Sequence, residues 1–419
     1  MKLKYGSISL DADIPPEHLA GVIEPSPLKP EKSAEELIAS ALLDCDASIS
    51  TFSSEEKVVI VTSDITRYTG SEIYLPMIVD RLSRQGIADS GIEILIALGI
   101  HRRQTEEEHA KILGALYGRI KVSDHDCDDP SNLRSIGRTS NGIEVRINRR
   151  AVEADRLVLT GGIGFHYFAG FSGGRKSVLP GIASREACMA SHFSVLNPLP
   201  GSGRNRLAAT GNLNGNPVHL AMVEACEMAN PAFILNTVVS PEKRIAAAFA
   251  GDWRKAHQEG CSFCRENFAC NIGEKRDMIL VSCGGFPKDI NFIQAHKAME
   301  YASHAVKEGG VMILLAECRD GFGNATFFDW FRHRELDSFE DALRRNYQIN
   351  GQTAYSAFDK ARRFRVILVS GLDSSDVERM GMIPASSVDE AMRIAERHLP
   401  SGWRGLVMPE GGSVLPLAK

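Results

Sequence analysis

The chain has 419 residues, 43% of them apolar and 24% charged, with a formal net charge of -5 at pH 7. That length calls for two domains, and the balance is that of a soluble globular protein offering no basic surface to nucleic acid or anionic membrane. No run approaches the ~18 apolar residues of a membrane span and no signal-peptide core opens the chain. Nine scattered cysteines fit a reducing cytoplasm better than a disulfide framework.

The first fifty residues predict scaffold. A hairpin runs from Lys2 to Leu10, then a proline-spaced strip from Pro25 to Pro30, then a helix opened by Ser33 and Glu36 as a capping box. Leu37, Ile38, Ala41 and Leu42 supply that helix with an apolar stripe. A strand from Lys57 to Thr62 leads into Ser63-Asp-Ile-Thr-Arg-Tyr-Thr-Gly70 and a helix from Ser71 to about Arg84. Polar residues at the carboxyl end of a buried strand stand where open α/β sheets bind ligands. Asp64 either caps the helix or orients a neighbouring arginine, histidine or cofactor. Arg67 carries a planar fork suited to a carboxylate. A second strand, Gly91 to Ala97, delivers His101 in the turn Leu98-Gly-Ile-His-Arg102. Thr105 begins the next helix, whose Glu106, Glu107 and Glu108 suit its dipole. The acidic run around His125 reads as an exposed turn before a strand from Gly142 to Ile147, not as a metal site.

A strand from Arg156 to Thr160 dissolves into GGIGFHYFAGFSGGRKSVLPGIASREACMASH, residues 161–192. Seven of the fourteen residues from Gly161 to Gly174 are Gly or Ala, so the segment looks too bare to fill a core. Glycines serve where backbone turns sharply or comes close to something, such as a ligand. Three readings compete. Gly170-Phe-Ser-Gly-Gly-Arg-Lys-Ser177 nearly fits a Walker A phosphate loop, but Arg175 stands where the second glycine belongs. A surface connection with a solvated Arg175–Lys176 pair leaves the flanking histidines unexplained. In the third reading Lys176 reacts as an amine while a histidine, His166 or His192, binds a metal or moves a proton. Spacing alone leaves the last two open.

Beyond His192 an ordered loop is expected at Asn197-Pro-Leu-Pro-Gly-Ser-Gly203, and Asn214 to His219 enters a helix reaching Met228. Arg244 to Glu266 reads as helical, with Ala246 to Ala250 packed. Cys261, Cys264 and Cys270 lack the second C-x-x-C pair of a zinc site. A domain boundary fits near Gly273, giving an N-terminal domain over 1–272 and a smaller one over 273–419, with the last residues free to pack back on the first. In the second, the strand Asp277 to Ser282 runs into Cys283-Gly-Gly-Phe-Pro-Lys-Asp-Ile-Asn291 and a helix from Phe292 to Lys307. Gln294 and Lys297 share one face of that helix. Strands at Val311–Ala316, Arg365–Val369 and Gly405–Met408 alternate with helices at Ser338–Asn346 and Val388–His398. The expected fold class is α/β: two domains with Rossmann-like parallel sheets and an active-site cleft between them.

The motif H-x-x-x-G-F-S-G-G-R-K, His166 to Lys176, with His192 sixteen residues on, resembles the nickel-dependent lactate racemase family. D-x-T-R at Asp64–Arg67, G-x-H-R at Gly99–Arg102 and G-G-x-P-x-D-x-N-x-x-Q-A-x-K at Gly284–Lys297 are similar to the family's motifs as well. The resemblance covers roughly residues 50 to 310. It implies a nickel-pincer nucleotide (pyridinium-3-thioamide-5-thiocarboxylic acid mononucleotide) joined to Lys176, with His192 as a nickel ligand. It implies catalytic histidines at His101 and His166, a substrate carboxylate met by Arg67 and Lys297, and cofactor contacts from Asp64, Gly173, Gly174 and Gln294. The implied activity is inversion of C2 in a 2-hydroxy acid by proton-coupled hydride transfer through a bound 2-keto acid, with cofactor-building proteins as transient partners. Leu98 stands where a small polar residue is expected and Ile293 where the founding type has tyrosine, which points towards a larger 2-hydroxy acid or a sugar acid such as gluconate. A non-catalytic carrier of nickel or of the nucleotide, and a zinc hydrolase built on His166 and His192, are the readings from other classes.

Overall fold

A computed structural model describes every residue except 13, 26, 27, 29, 241 and 419, so Ser26, Pro27 and Lys29 of the expected proline-spaced strip lie outside the described residues. The chain forms two compact units. One comprises residues 27–196 and 204–266; the other comprises 1–26, 197–203 and 267–419.

The first unit is built on a six-stranded sheet. In chain order its strands are β1 (Val58–Ser63), β2 (Ile92–Ala97), β3 (Lys121–Asp124), β4 (Arg156–Ile163), β5 (Phe233–Val239) and β6 (Ile245–Gly251). Their order across the sheet is β6-β5-β4-β1-β2-β3, parallel except for the antiparallel β5–β6 pair. Buried on both faces, β1 and β2 are near-continuous runs of Val, Ile and Leu, the pattern parallel strands require. From β1 the chain moves outward to β2 and β3; β4 and β5 then fill the other side. The direction of winding thus reverses between β1 and β4, and the loops leaving these strands flank the crevice that such a reversal opens.

The expected helix from Arg244 is corrected by the structure. Residues Ile245–Gly251 are strand β6, and the helix begins only at Trp253. Alanine's helix preference is worth only tenths of a kcal/mol per residue, whereas β6 completes a ladder with β5 and lies against the helix Ala34–Leu42.

The second unit carries a sheet of six parallel strands, in the order Ile383–Ala385, Arg365–Val369, Val306–Leu315, Arg276–Ser282, Gly405–Met408, Leu19–Val22. Its last strand comes from the amino-terminal segment, which the sequence places with the other domain. Gly405 pairs with Leu19 and Val407 with Val22. The chain passes into this unit at residue 267, and the final strand Leu415–Ala418 lies along Ala269–Gly273 within it. Among the described residues no helix is long and apolar enough to cross a membrane.

A buried polar knot ties the carboxyl ends of the central strands. Tyr74, on the helix α1 (Ser71–Arg84), is fully buried, with its hydroxyl 3.0 Å from Thr62, 2.8 Å from Thr69 and 3.1 Å from Thr160. Thr160 donates to the Val61 carbonyl at 2.9 Å, so it accepts from Tyr74, and Thr62 and Thr69 donate to the tyrosine. Thr237 on β5 donates to the Thr69 carbonyl at 2.7 Å. One phenol thereby fixes the loop after β1 against β4 and β5. Tyr74→Phe strands three hydroxyls in a dry site and should lower unfolding stability by about 1–3 kcal/mol. A denaturant titration with an unchanged midpoint would show that the knot carries no weight.

Candidate active site

The loop after β1 places Asp64 at the floor of the crevice, 3% exposed. One carboxylate oxygen accepts from the Thr66 amide at 3.1 Å and the Thr66 hydroxyl at 2.7 Å. The other accepts from Nδ1 of His101 at 2.5 Å. Of the partners open to Asp64, the structure therefore supplies the histidine. Burial pushes the Asp64 carboxyl up, but the bonds from His101 and Thr66 outweigh it and hold the group below its ordinary value. This pairing supports the loop above the ordinary carboxylate range and is lost as the pH falls through the lowered value. With Nδ1 donating to Asp64, a neutral His101 presents Nε2 as an acceptor. Ile65 is tied by its amide to Gln104 at 3.0 Å, and Gln104 by its own amide to Asp124 at 2.9 Å, so the loops after β1 and β2 move together. Arg67 is exposed; among the described residues its guanidinium bonds only Thr66, at 3.3 and 3.5 Å, and its amide donates to the Asp64 carbonyl at 3.0 Å.

After β4 the chain makes a miniature hairpin, His166 opposite Gly170, and then turns into the short helix α2 (Arg175–Val178). What its glycines approach closely is the sheet. A Cβ on Gly174 would lie 2.0 Å from the Ile234 side chain, and one on Gly161 would lie 2.9 Å from the Gly174 nitrogen. Gly173 has φ +109° and would meet Ile163 at 2.8 Å. Gly174 also gives its N–H to Asn236 Oδ1 at 2.8 Å. The segment is not bare of core residues either: Phe168, Ala169 and Phe171 are buried.

Phe168 is the hub of the site, although nothing in the motif singles it out. The His166 ring stands edge-on to it with centroids 4.5 Å apart, the His192 ring lies 5.1 Å away, and Lys176 Nζ is 5.9 Å from its centroid. Three nitrogen-bearing side chains that the sequence spreads over 27 positions share one phenyl ring. Burial, then the charges of Arg175 and Arg67, bring the Lys176 amine down to about 7. Burial and the nearby Lys176 lower His192 to about 4. Its Nδ1 donates to the Cys188 carbonyl at 2.7 Å, one turn back on α3 (Arg185–Phe193), leaving the Nε2 lone pair free of that bond. His166 is held well below its usual value by burial first and Lys176 second, and its Nδ1 accepts from the Ala169 amide at 3.2 Å.

Arg175 rules out both competing readings of the loop. It is fully buried rather than solvated, and it opens α2 where a phosphate loop needs glycine. Two other expectations change. Leu98 is 2% exposed and belongs to the hydrophobic core with Ile94, Ile96 and Leu113, so its bulk says nothing about substrate size. His125 is 1% exposed, donating to the Ala183 carbonyl at 2.9 Å and accepting from Asn148 at 3.2 Å, not part of an exposed turn. In the other unit, Gln294 and Lys297 lie on the helix Phe292–Ala302, with Lys297 Nζ donating to Gln294 Oε1 at 2.7 Å. Ile293 on the same helix is half-buried.

A desolvated lysine, imidazoles of opposite hydrogen-bonding polarity and an Asp–His pair stand at the winding reversal of an α/β sheet, where such sheets bind ligands. Residues 5–203 match the lactate racemase N-terminal domain and residues 273–416 the lactate racemase C-terminal domain. Similar proteins include lactate racemases from Thermoanaerobacterium thermosaccharolyticum, 36% identical, and from Lactiplantibacillus plantarum, 34% identical, each alignment covering 99% of this chain and 98% of the relative. The structure of the lactate racemase apoprotein from T. thermosaccharolyticum superposes with a TM-score of 0.88 at 35% identity, covering 99% of each chain. A Thermotoga maritima protein of 19% identity shares the fold, with a TM-score of 0.62 over 92% of this chain. This chain belongs to the lactate racemase family, and it is an isomerase.

The lowered lysine gives a test on the isolated chain. Under limiting amine-acylating reagent, Lys176 should react with a half-maximal rate near pH 7, while exposed lysines keep accelerating towards their ordinary value of about 10.4. Peptide mass mapping across the pH series reads both. A Lys176 profile that tracks the surface lysines would contradict the desolvated site.

Proposed function

We propose that this chain inverts the C2 stereocentre of a 2-hydroxy acid, using a nickel-pincer nucleotide carried on Lys176 with His192 as a nickel ligand. The observation that carries this reading is the convergence of Lys176, His166 and His192 on Phe168. The residues fit such a group. Lys176 brings an amine held near pH 7 with no hydrogen bond to another described residue, which suits covalent attachment. His192 brings a neutral imidazole whose second nitrogen is already fixed, the arrangement metal-bound histidines require. When bound, the nucleotide would supply the electron sink that an α C–H beside a carboxylate demands.

The chain's own residues do the rest. Arg67 engages the substrate carboxylate through its planar fork, and its positive charge is already felt at Lys176 and His166. His101 takes the hydroxyl proton at Nε2 while Asp64 holds Nδ1 and stabilises the imidazolium that forms. His166 serves the opposite face, since inversion needs an acid–base group on each side. The 2-keto acid stays bound until C2 regains its hydrogen. Proteins that build the cofactor are transient partners.

Protein purified from a host that makes the pincer nucleotide should carry a nucleotide-sized mass addition on Lys176 and near-stoichiometric nickel. His101→Ala and His166→Ala should each keep the adduct and the metal while losing ~10²–10⁴ in kcat in a screen running from lactate to sugar acids. An unmodified Lys176 without nickel, in that host, would sink the proposal. Adduct and nickel with no inversion of any 2-hydroxy acid in the screen would leave a cofactor-binding protein, and intact activity in both histidine variants would remove their catalytic role.

A further inference from the structure

Arg175 is a buried cation that meets no carboxylate among the described residues. Four of its five N–H donors nevertheless meet acceptors, and the fifth faces a histidine ring nitrogen. Nε donates to His219 Nδ1 at 2.9 Å, one Nη donates to the Ser172 carbonyl at 3.0 Å and lies 2.7 Å from His257 Nε2, and the other Nη donates to the carbonyls of Ala169 at 3.3 Å and Phe171 at 3.1 Å. Guanidinium cannot accept, so His219 accepts; His257 Nε2 also lies 3.0 Å from the Ser172 carbonyl, so it either accepts from Arg175 or donates to that carbonyl, and neither ring is charged. Burial and the Arg175 charge keep them so, pulling His219 to about 3 and His257 well below its usual value. Three of the four acceptors are carbonyls of one short loop, the loop that joins His166 to Lys176.

That loop also fixes a histidine. The residue whose carbonyl Arg175 grips, Ala169, points its own N–H at Nδ1 of His166. We propose that Arg175 is the positioning residue of His166: by clamping Ala169, Phe171 and Ser172 it holds the Ala169 N–H on Nδ1, so that the ring presents a protonated Nε2. His101, with Nδ1 bound to Asp64, presents the opposite tautomer. The ligand-free protein thus offers one ring ready to take a proton and one ready to give a hydrogen bond. The functional weight of this rests on the reading of His101 and His166 as the acid–base pair; the tautomer itself does not.

The planar fork is what makes the clamp, since lysine at 175 keeps the charge but cannot reach the three loop carbonyls and His219 in one plane. The test uses the full chain with ¹⁵N-labelled histidine, the His101 and His166 signals being assigned from His101→Gln and His166→Gln. Long-range proton–nitrogen correlation spectra should show His166 protonated at Nε2 and His101 at Nδ1. In Arg175→Lys, His166 should average between tautomers while His101 is unchanged. His219→Leu, which removes one acceptor without touching the loop, should move His166 part of the way and serves if Arg175→Lys does not fold. A wild-type His166 protonated at Nδ1, or a folded Arg175→Lys with His166 unaltered, overturns the proposal. A tautomer shift as expected, with His166→Gln still racemising at the wild-type rate, leaves the clamp standing and removes the catalytic role.

Discussion

Desolvation is the constraint on which this site depends. Around Phe168 an amine and two imidazoles are crowded by protein, His192 buried and Lys176 and His166 half-buried, where a charged group loses much of its hydration and gains little in return. Arg175 and Arg67 add positive field from two sides. The result is a cluster of nitrogens whose lone pairs are available near neutral pH: Lys176 at about 7 and His192 at about 4. On the surface the lysine would be an ammonium, useless as a nucleophile. The Asp64–His101 pair runs the other way, with a carboxylate kept ionised beside an exposed ring. Two environments within one crevice therefore prepare different chemistry from similar side chains.

Holding those nitrogens still requires a scaffold that is itself polar and dry. Tyr74 and its three threonines lock the strand ends, and Ser177 extends the network by donating to the Thr160 carbonyl at 2.7 Å, tying α2 to β4 next to Lys176. Arg175 locks the loop between. Burying a guanidinium without a carboxylate is costly, and only near-complete hydrogen bonding offsets the cost. Its charge, left uncompensated, is then part of what lowers the neighbouring lysine.

The sequence shows the chemistry-bearing residues more readily than their geometry. Strands ending in Asp64, His101 and the glycine stretch are legible as apolar runs that stop abruptly at polar or glycine residues. The helix Ser71–Arg84 has the bounds its pattern predicts. What is not legible is long-range. The strand Leu19–Val22 carries no mark of its partner at Gly405–Met408, and Ala246–Ala250 reads as helix until β5 is there to pair with it. Leu98 looks like a pocket residue on a line of text and is core in three dimensions. Phe168 and Arg175 are part of the motif without any hint that one is the hub of three nitrogens and the other the clamp of three loop carbonyls. Aromatic residues among glycines are the signal to read more closely: they mark where the loop turns inward.

The most direct test of the account tracks the fate of the C2 hydrogen. Cofactor-loaded enzyme incubated in ordinary water with a C2-deuterated 2-hydroxy acid, lactate first, should return the opposite enantiomer with deuterium still at C2, because the hydrogen leaves and returns with its electron pair while His101 and His166 move only the hydroxyl proton. Loss of the deuterium to water in step with inversion would mean that C2 is deprotonated instead, and the roles assigned here to the two histidines and to Lys176 would be wrong.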